Sequence, residues 1–190
     1  MTCDQKKMAN ETDNNSDKPN LIFFIGFMGC GKTTWSRKLA NHLGYEFVDL
    51  DHLLEEKIGM TIAEYFPLYG EEAFRQQESE LLKNTEFAHN TIISTGGGLP
   101  VFFDHMDWMN ANGKTVYIKL SPKTLVDRLE KGKAKRPLLK DKHGDELLQF
   151  ITEKLAEREG FYLQASHIAD GISLSVEGLD ALINGGETTV

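Results

Sequence analysis

The octapeptide Gly26-Phe27-Met28-Gly29-Cys30-Gly31-Lys32-Thr33 matches G-x-x-x-x-G-K-[ST], and it stands between the apolar run Leu21–Ile25 and a segment of helical pattern, residues 34–43. Strand, loop and helix in that order constrain the fold, because such a loop needs a strand to deliver it to a helix N-terminus. The residue types carry the chemistry. Glycines let backbone N–H groups close around phosphate oxygens, and the helix dipole adds positive potential. Lys32 reaches the β- and γ-phosphates of a nucleoside triphosphate. The Thr33 hydroxyl is a small ligand for Mg²⁺, an ion that keeps most of its shell for phosphate oxygens and water. Gly29, Cys30, Gly31, Lys32, Thr33 and Thr34 are therefore the expected ATP-phosphate cradle. The bland alternative is a glycine-rich turn, which leaves the agreement of pattern, preceding strand and following helix to chance.

From Leu21 onward, short apolar runs alternate with helical patterns. Residues 21–25, 47–50, 91–94, 115–120 and, more weakly, 167–169 read as strands, and residues 34–43, 71–87, 101–112, 122–131 and 145–166 as helices. Five strands alternating with helices predict a parallel α/β sheet, with ligands at the carboxyl ends of the strands. The 190 residues suit one domain with a sizeable core. Residues 1–19 are polar and without apolar period, which predicts a disordered N-terminal extension; a single domain is expected over 20–183 and a flexible tail over 184–190. The apolar runs are too short to cross a bilayer, and the N-terminal stretch lacks the apolar core of a secretory signal, so a cytoplasmic location is the expectation.

A net charge of −8 disfavours nucleic acid or an acidic membrane as partner, because both call for a basic surface. Anions must then be held by local positive groups, and Lys32, Arg75, Arg136 and Arg158 are the candidates. Cys3 and Cys30 suit neither a disulfide framework nor a metal-ligand spacing, and the six histidines show no ligand spacing. Cys30 reads as a small residue that the loop tolerates.

In Val48-Asp49-Leu50-Asp51 the strand period of two puts both carboxylates on one face. Asp49, beside the phosphate loop, can hold Mg²⁺ through water, while Asp51 can orient or deprotonate an attacking hydroxyl. Asp51 equally fits the N-cap of a short helix over residues 52–57. Ser94-Thr95-Gly96-Gly97-Gly98 follows the third strand. Three glycines fit a loop whose bare backbone is closely approached, or a flexible connection. The basic segment 132–144, flanked by Gly132 and Gly144, fits a mobile lid or a solvated linker. Arg75 and Arg158 lie on predicted helices, where each could simply pair with a neighbouring glutamate.

Taken together, the Gly26-to-Thr33 loop, Asp49-x-Asp51, Phe66-x-x-x-Gly70-Glu71-x-x-Phe74-Arg75, the triple glycine, Arg136-Pro137-Leu138-Leu139 and Arg158-x-x-x-Tyr162 resemble the shikimate kinase family in order and spacing, over about residues 21–169. The resemblance implies a three-layer P-loop kinase of the nucleoside-monophosphate-kinase structural group, with a five-stranded parallel sheet ordered 2-3-1-4-5 and a mobile lid. It implies transfer of phosphate from ATP, with Mg²⁺, to the 3-hydroxyl of shikimate by a monomer. By matching position, Asp51, Arg75, Gly97 and Arg158 would hold shikimate, and Arg136 would come from the lid to the ATP phosphates. Lys32, Asp51 and Arg136 would be the catalytic residues. Independently of the resemblance, two arginines in one pocket would favour an acidic acceptor, since each guanidinium fork matches a carboxylate. A related kinase acting on gluconate or a nucleotide, and a nucleotide-binding module without turnover, are the alternatives. One departure concerns the adenine-stacking arginine that family members carry near the start of the lid: Arg128 is displaced from that place, and no adenine contact is assigned to it.

Overall fold

Every residue of β1 (Leu21–Ile25) is buried, as a strand covered on both faces requires. A computed structural model describes residues 19–130 and 142–185 of the chain. The expected extension, most of the expected lid with Arg136, and the last five residues lie outside the described residues. The other strands are β2 (Glu46–Asp49), β3 (Thr91–Ser94), β4 (Gly113–Lys119) and β5 (His167–Asp170), all parallel, in the order β2-β3-β1-β4-β5. The helices are α1 (Lys32–Leu43), α2 (Leu50–Ile58), α3 (Ile62–Asn84), α4 (His105–Asn112), α5 (Pro122–Glu130), α6 (Gly144–Tyr162) and α7 (Val176–Asn184). None of the described helices is long and apolar enough to cross a membrane.

Sheet register positions the site. Phe24 and Asp49 both pair with Ser94, so the ends of β1, β2 and β3 lie side by side. The phosphate loop, the Asp49 turn and the triple-glycine loop therefore leave the sheet at one level. Phe23, Ile92, Val116 and Ile118 fill the centre of the core, and α1 packs against α7 and α5 against α6.

Several boundaries differ from the sequence expectation, each for a local reason. β2 stops at Asp49, whose side chain accepts hydrogen bonds from Asp51 N and His52 N and so caps α2. Asp51 is thus neither a strand residue nor a helix cap; it lies in the first turn of α2. The helix expected over 71–87 is the second half of α3. Its first half opens on a capping box between Thr61 and Glu64 and meets the second at Gly70, where φ is 79°. The helix expected over 101–112 divides into a short 3-10 turn (Leu99–Val101) and α4, because Phe103 adopts a φ of 52° between them. α6 ends at Tyr162 rather than at 166, and Ser166 instead exchanges hydrogen bonds with Thr115 on β4. α7, capped by Ser175, was not expected.

Candidate active site

The phosphate loop wraps a cleft of about 370 Å³ lined by Gly29, Gly31, Lys32, Thr33, Asp51 and Gly97 among others. Left-handed backbone at Gly29 (φ 81°) and Gly31 (φ 104°) turns the loop, and a side chain on Gly29 would meet Leu129 of α5 at 2.7 Å. The Lys32 ammonium is buried and donates to the carbonyls of Gly26 and Phe27, at 2.9 and 3.2 Å, so it is held across the mouth of the loop. Cys30, expected in the phosphate cradle, is buried and is not among the described residues that line the cleft. Its carbonyl accepts from Arg128 Nη1 at 2.9 Å, and Arg128 Nη2 donates to Gly171 O at 3.0 Å. Arg128 thereby ties the phosphate loop to the turn after β5.

Thr33 and Asp49 stand side by side: Thr33 Oγ1 donates to Asp49 Oδ2 at 2.9 Å and lies 3.2 Å from Ser94 Oγ. Asp51 reaches the same cleft from α2. Burial of its carboxyl and the neighbouring Asp49 charge push its pKa up to about 6, against the opposing pull of Lys32. Such a carboxylate is ionised at neutral pH yet basic enough to accept a proton.

Each of the three glycines makes room for a different part of the site. A Cβ on Gly96 would stand 2.6 Å from Asp51 Oδ1 and 3.1 Å from Glu78 Oε1; on Gly97, 3.2 Å from Met28 N of the phosphate loop; on Gly98, 2.8 Å from Arg75 Nη2. Side chains at these positions would push Asp51, the phosphate loop and Arg75 apart. The close approach anticipated for the segment is made by the protein's own groups.

Arg75 and Arg158 are not among the described residues that line the cleft. Arg75 is buried on α3. Its Nη1 donates to Glu78, and its Nε and Nη2 to Glu71 at 3.3 and 2.9 Å. The pairing with a neighbouring glutamate is real, but with Glu78 it is a buried ion pair rather than a surface one. Burial drives the Glu78 carboxyl up to about 7, with Arg75 opposing. Arg158, half-buried on α6, holds its guanidinium 5.7 Å from the Phe27 ring centroid.

Glu78, Arg128 and Ser94 are site residues that sequence reading did not single out for these contacts. Glu78 carried a signal, its i,i+3 spacing from Arg75 on one helix face. The roles of Arg128 and Ser94 depend on contacts 98 and 61 residues away in sequence.

The family model for shikimate kinase matches residues 28–181. A shikimate kinase of Parabacteroides distasonis is 44% identical over 156 residues, covering 82% of this chain and 90% of that protein. The chain belongs to the shikimate kinase family. Two solved shikimate kinases agree with the fold described above. The enzyme from Bacteroides thetaiotaomicron superposes with a TM-score of 0.82 at 40% identity, covering 86% of this chain and 97% of that one. The enzyme from Acinetobacter baumannii in complex with shikimate gives a TM-score of 0.77 at 28% identity, covering 90% and 96%. The three-layer P-loop architecture and the 2-3-1-4-5 order implied by the sequence motifs are those of the family.

Proposed function

We propose that this chain transfers the γ-phosphoryl group of ATP to the 3-hydroxyl of shikimate, giving ADP and shikimate 3-phosphate on the way to chorismate and the aromatic amino acids. The observation that carries this reading is one cleft that joins the phosphate loop to Asp51 and Gly97. Family membership narrows the acceptor, since a structural relative binds shikimate.

In this reading the backbone of Gly29, Cys30, Gly31, Thr33 and Thr34 cradles the ATP phosphates, and Lys32 exchanges its loop carbonyls for β- and γ-phosphate oxygens. Asp51 orients the 3-hydroxyl and takes its proton as the oxygen attacks the γ-phosphorus and the bond to the β-phosphate oxygen breaks. Arg75, its guanidinium held in place by Glu71 and Glu78, and Arg158 from α6 receive the shikimate carboxylate, with the Gly97 backbone beside them. Arg136, outside the described residues, adds positive charge to the transferring group. Thr33 and Asp49 offer hard oxygen ligands that suit Mg²⁺, Asp49 through water, and the ion when bound neutralises phosphate charge. The working protein is a cytoplasmic monomer with ATP and shikimate as its partners, and with neither nucleic acid nor membrane.

A coupled assay for ADP release, with ATP and Mg²⁺ and with shikimate, gluconate, nucleoside monophosphates or no acceptor, tests the reading. Stimulation by shikimate alone is expected. Stimulation by another acceptor would overturn the substrate and keep the kinase, whereas ATP binding that no acceptor turns into ADP release would make the chain a binding module.

A further inference from the structure

The Tyr162 side chain is fully buried at the last turn of α6, and its hydroxyl donates to the carbonyl of Gly97 at 2.6 Å. Gly97 also lies close to the phosphate loop, since a side chain there would press on Met28 N at 3.2 Å and Gly26 O at 3.5 Å. The glycine loop therefore meets both the phosphate loop and one phenol at the same residue. Tyr162 also lies one helical turn after Arg158, so the same stretch of α6 carries the arginine and the anchor.

We propose that Tyr162 is a positioning residue: its hydrogen bond to Gly97 fixes the glycine loop relative to Arg158, so that Gly97 and Arg158 present one preformed site to the acceptor's carboxylate end. The inference rests on the acceptor reading given above and adds a residue that acts through Gly97 without touching the substrate. Burial keeps the phenol protonated, its pKa pushed up to about 12 with the charge of Arg158 and a hydrogen bond from that guanidinium pulling the other way, so the group stays a donor to Gly97 across the working pH range. Tyr117 provides an internal control. Its ring packs against that of Tyr162 with centroids 5.2 Å apart, and its buried hydroxyl has no hydrogen-bond partner among the described residues. Two phenols share one packing environment, and one of them holds the loop.

The test compares Tyr162→Phe and Tyr117→Phe with wild type in the full chain, measuring kcat, KM for shikimate, KM for ATP and Tm. Tyr162→Phe is expected to raise the shikimate KM about tenfold while leaving the ATP KM within about twofold, the loss expected when a half-buried carbonyl loses its donor. Tyr117→Phe is expected to leave both constants at wild-type values. An unchanged shikimate KM in Tyr162→Phe, with only Tm lowered, would show the bond to be purely structural and overturn the proposal. Equal rises in both KM values, or equal effects of the two substitutions, would assign the change to loosened packing and overturn it as well. Wild-type protein that shikimate does not stimulate would overturn the acceptor reading first and this proposal with it; the variant-to-wild-type ratio reports on the Tyr162 hydroxyl, which meets both Gly97 and Arg158.

Discussion

The guanidinium of Arg75 lies directly against Gly98, so closely that a Cβ at 98 would sit 2.8 Å from Nη2 and 2.9 Å from Nη1. Glu71 and Glu78 grip the same guanidinium from its sides, which leaves it no easy retreat. Gly98→Ala is accordingly expected to displace Arg75 and raise the shikimate KM by about tenfold or more, with the ATP KM little changed. Steady-state kinetics with each substrate varied in turn decides this. Wild-type constants in the alanine variant would remove Arg75 from the acceptor site.

Breaking the ion pair itself has a larger cost. Arg75 and Glu78 are both buried, so Glu78→Ala leaves a buried positive charge with the exposed Glu71 as its remaining partner. A loss of about 3 kcal/mol in folding stability is expected above the Glu78 pKa of about 7, where the pair is ionised, measurable by denaturant unfolding. A change below about 1 kcal/mol would mean that the pair is relaxed by solvent.

Activity and stability should respond to pH in opposite directions. Asp51 is raised to about 6 and Glu78 to about 7, each chiefly by burial. Both folded-state values lie above the ordinary carboxyl range, so the native protein binds more protons than the unfolded chain. That stabilising contribution is complete below about pH 4 and is lost as pH rises through about 6 and 7. Transfer needs Asp51 ionised, so kcat/KM should fall as pH drops through about 6. Thermal unfolding from pH 5 to pH 8 should show Tm declining on account of these groups, with a smaller decline in Asp51→Asn. Full activity at pH 5 would exclude Asp51 as the proton acceptor.

Asp49 has two separable tasks. Its Oδ1 caps α2 and its Oδ2 accepts from Thr33. Asparagine is a good cap but carries no charge, so Asp49→Asn should keep Tm and raise the Mg²⁺ concentration needed for half-maximal activity. Asp49→Ala should do the same and also lose about 1 kcal/mol of stability. Identical Mg²⁺ dependence in wild type and both variants would leave Asp49 a structural cap.

Arg128 offers a test of the phosphate loop from behind. Its two bonds join Cys30 O to Gly171 O, so Arg128→Met should loosen the loop and raise the ATP KM severalfold without moving the shikimate KM. An unchanged ATP KM would show that the loop holds its shape through Leu129 packing alone.

The sequence by itself determined those parts of the protein that rest on local signals. A phosphate loop is spelled out in eight consecutive residues, and β1 and β3 are short apolar runs whose ends the structure reproduces residue for residue. The capping box at Thr61 and Glu64 was equally available and would have located the first half of α3. Tertiary structure decided which groups face one another. Sequence pattern left Asp51 between a strand end and a helix cap, but Asp49 is the cap, and Asp51 enters the cleft from the first turn of α2. The roles of Gly96, Gly97 and Gly98 became separable once Asp51, the phosphate loop and Arg75 were seen against each glycine in turn. The sequence offers Tyr162 as part of a motif, Arg128 as a displaced arginine and Glu78 as an i,i+3 neighbour of Arg75, but not the partners that Tyr162 and Arg128 meet. Their meaning depends on where sheet register and helix docking place them, and contacts 65 or 98 residues apart leave no mark on hydrophobic period or capping pattern.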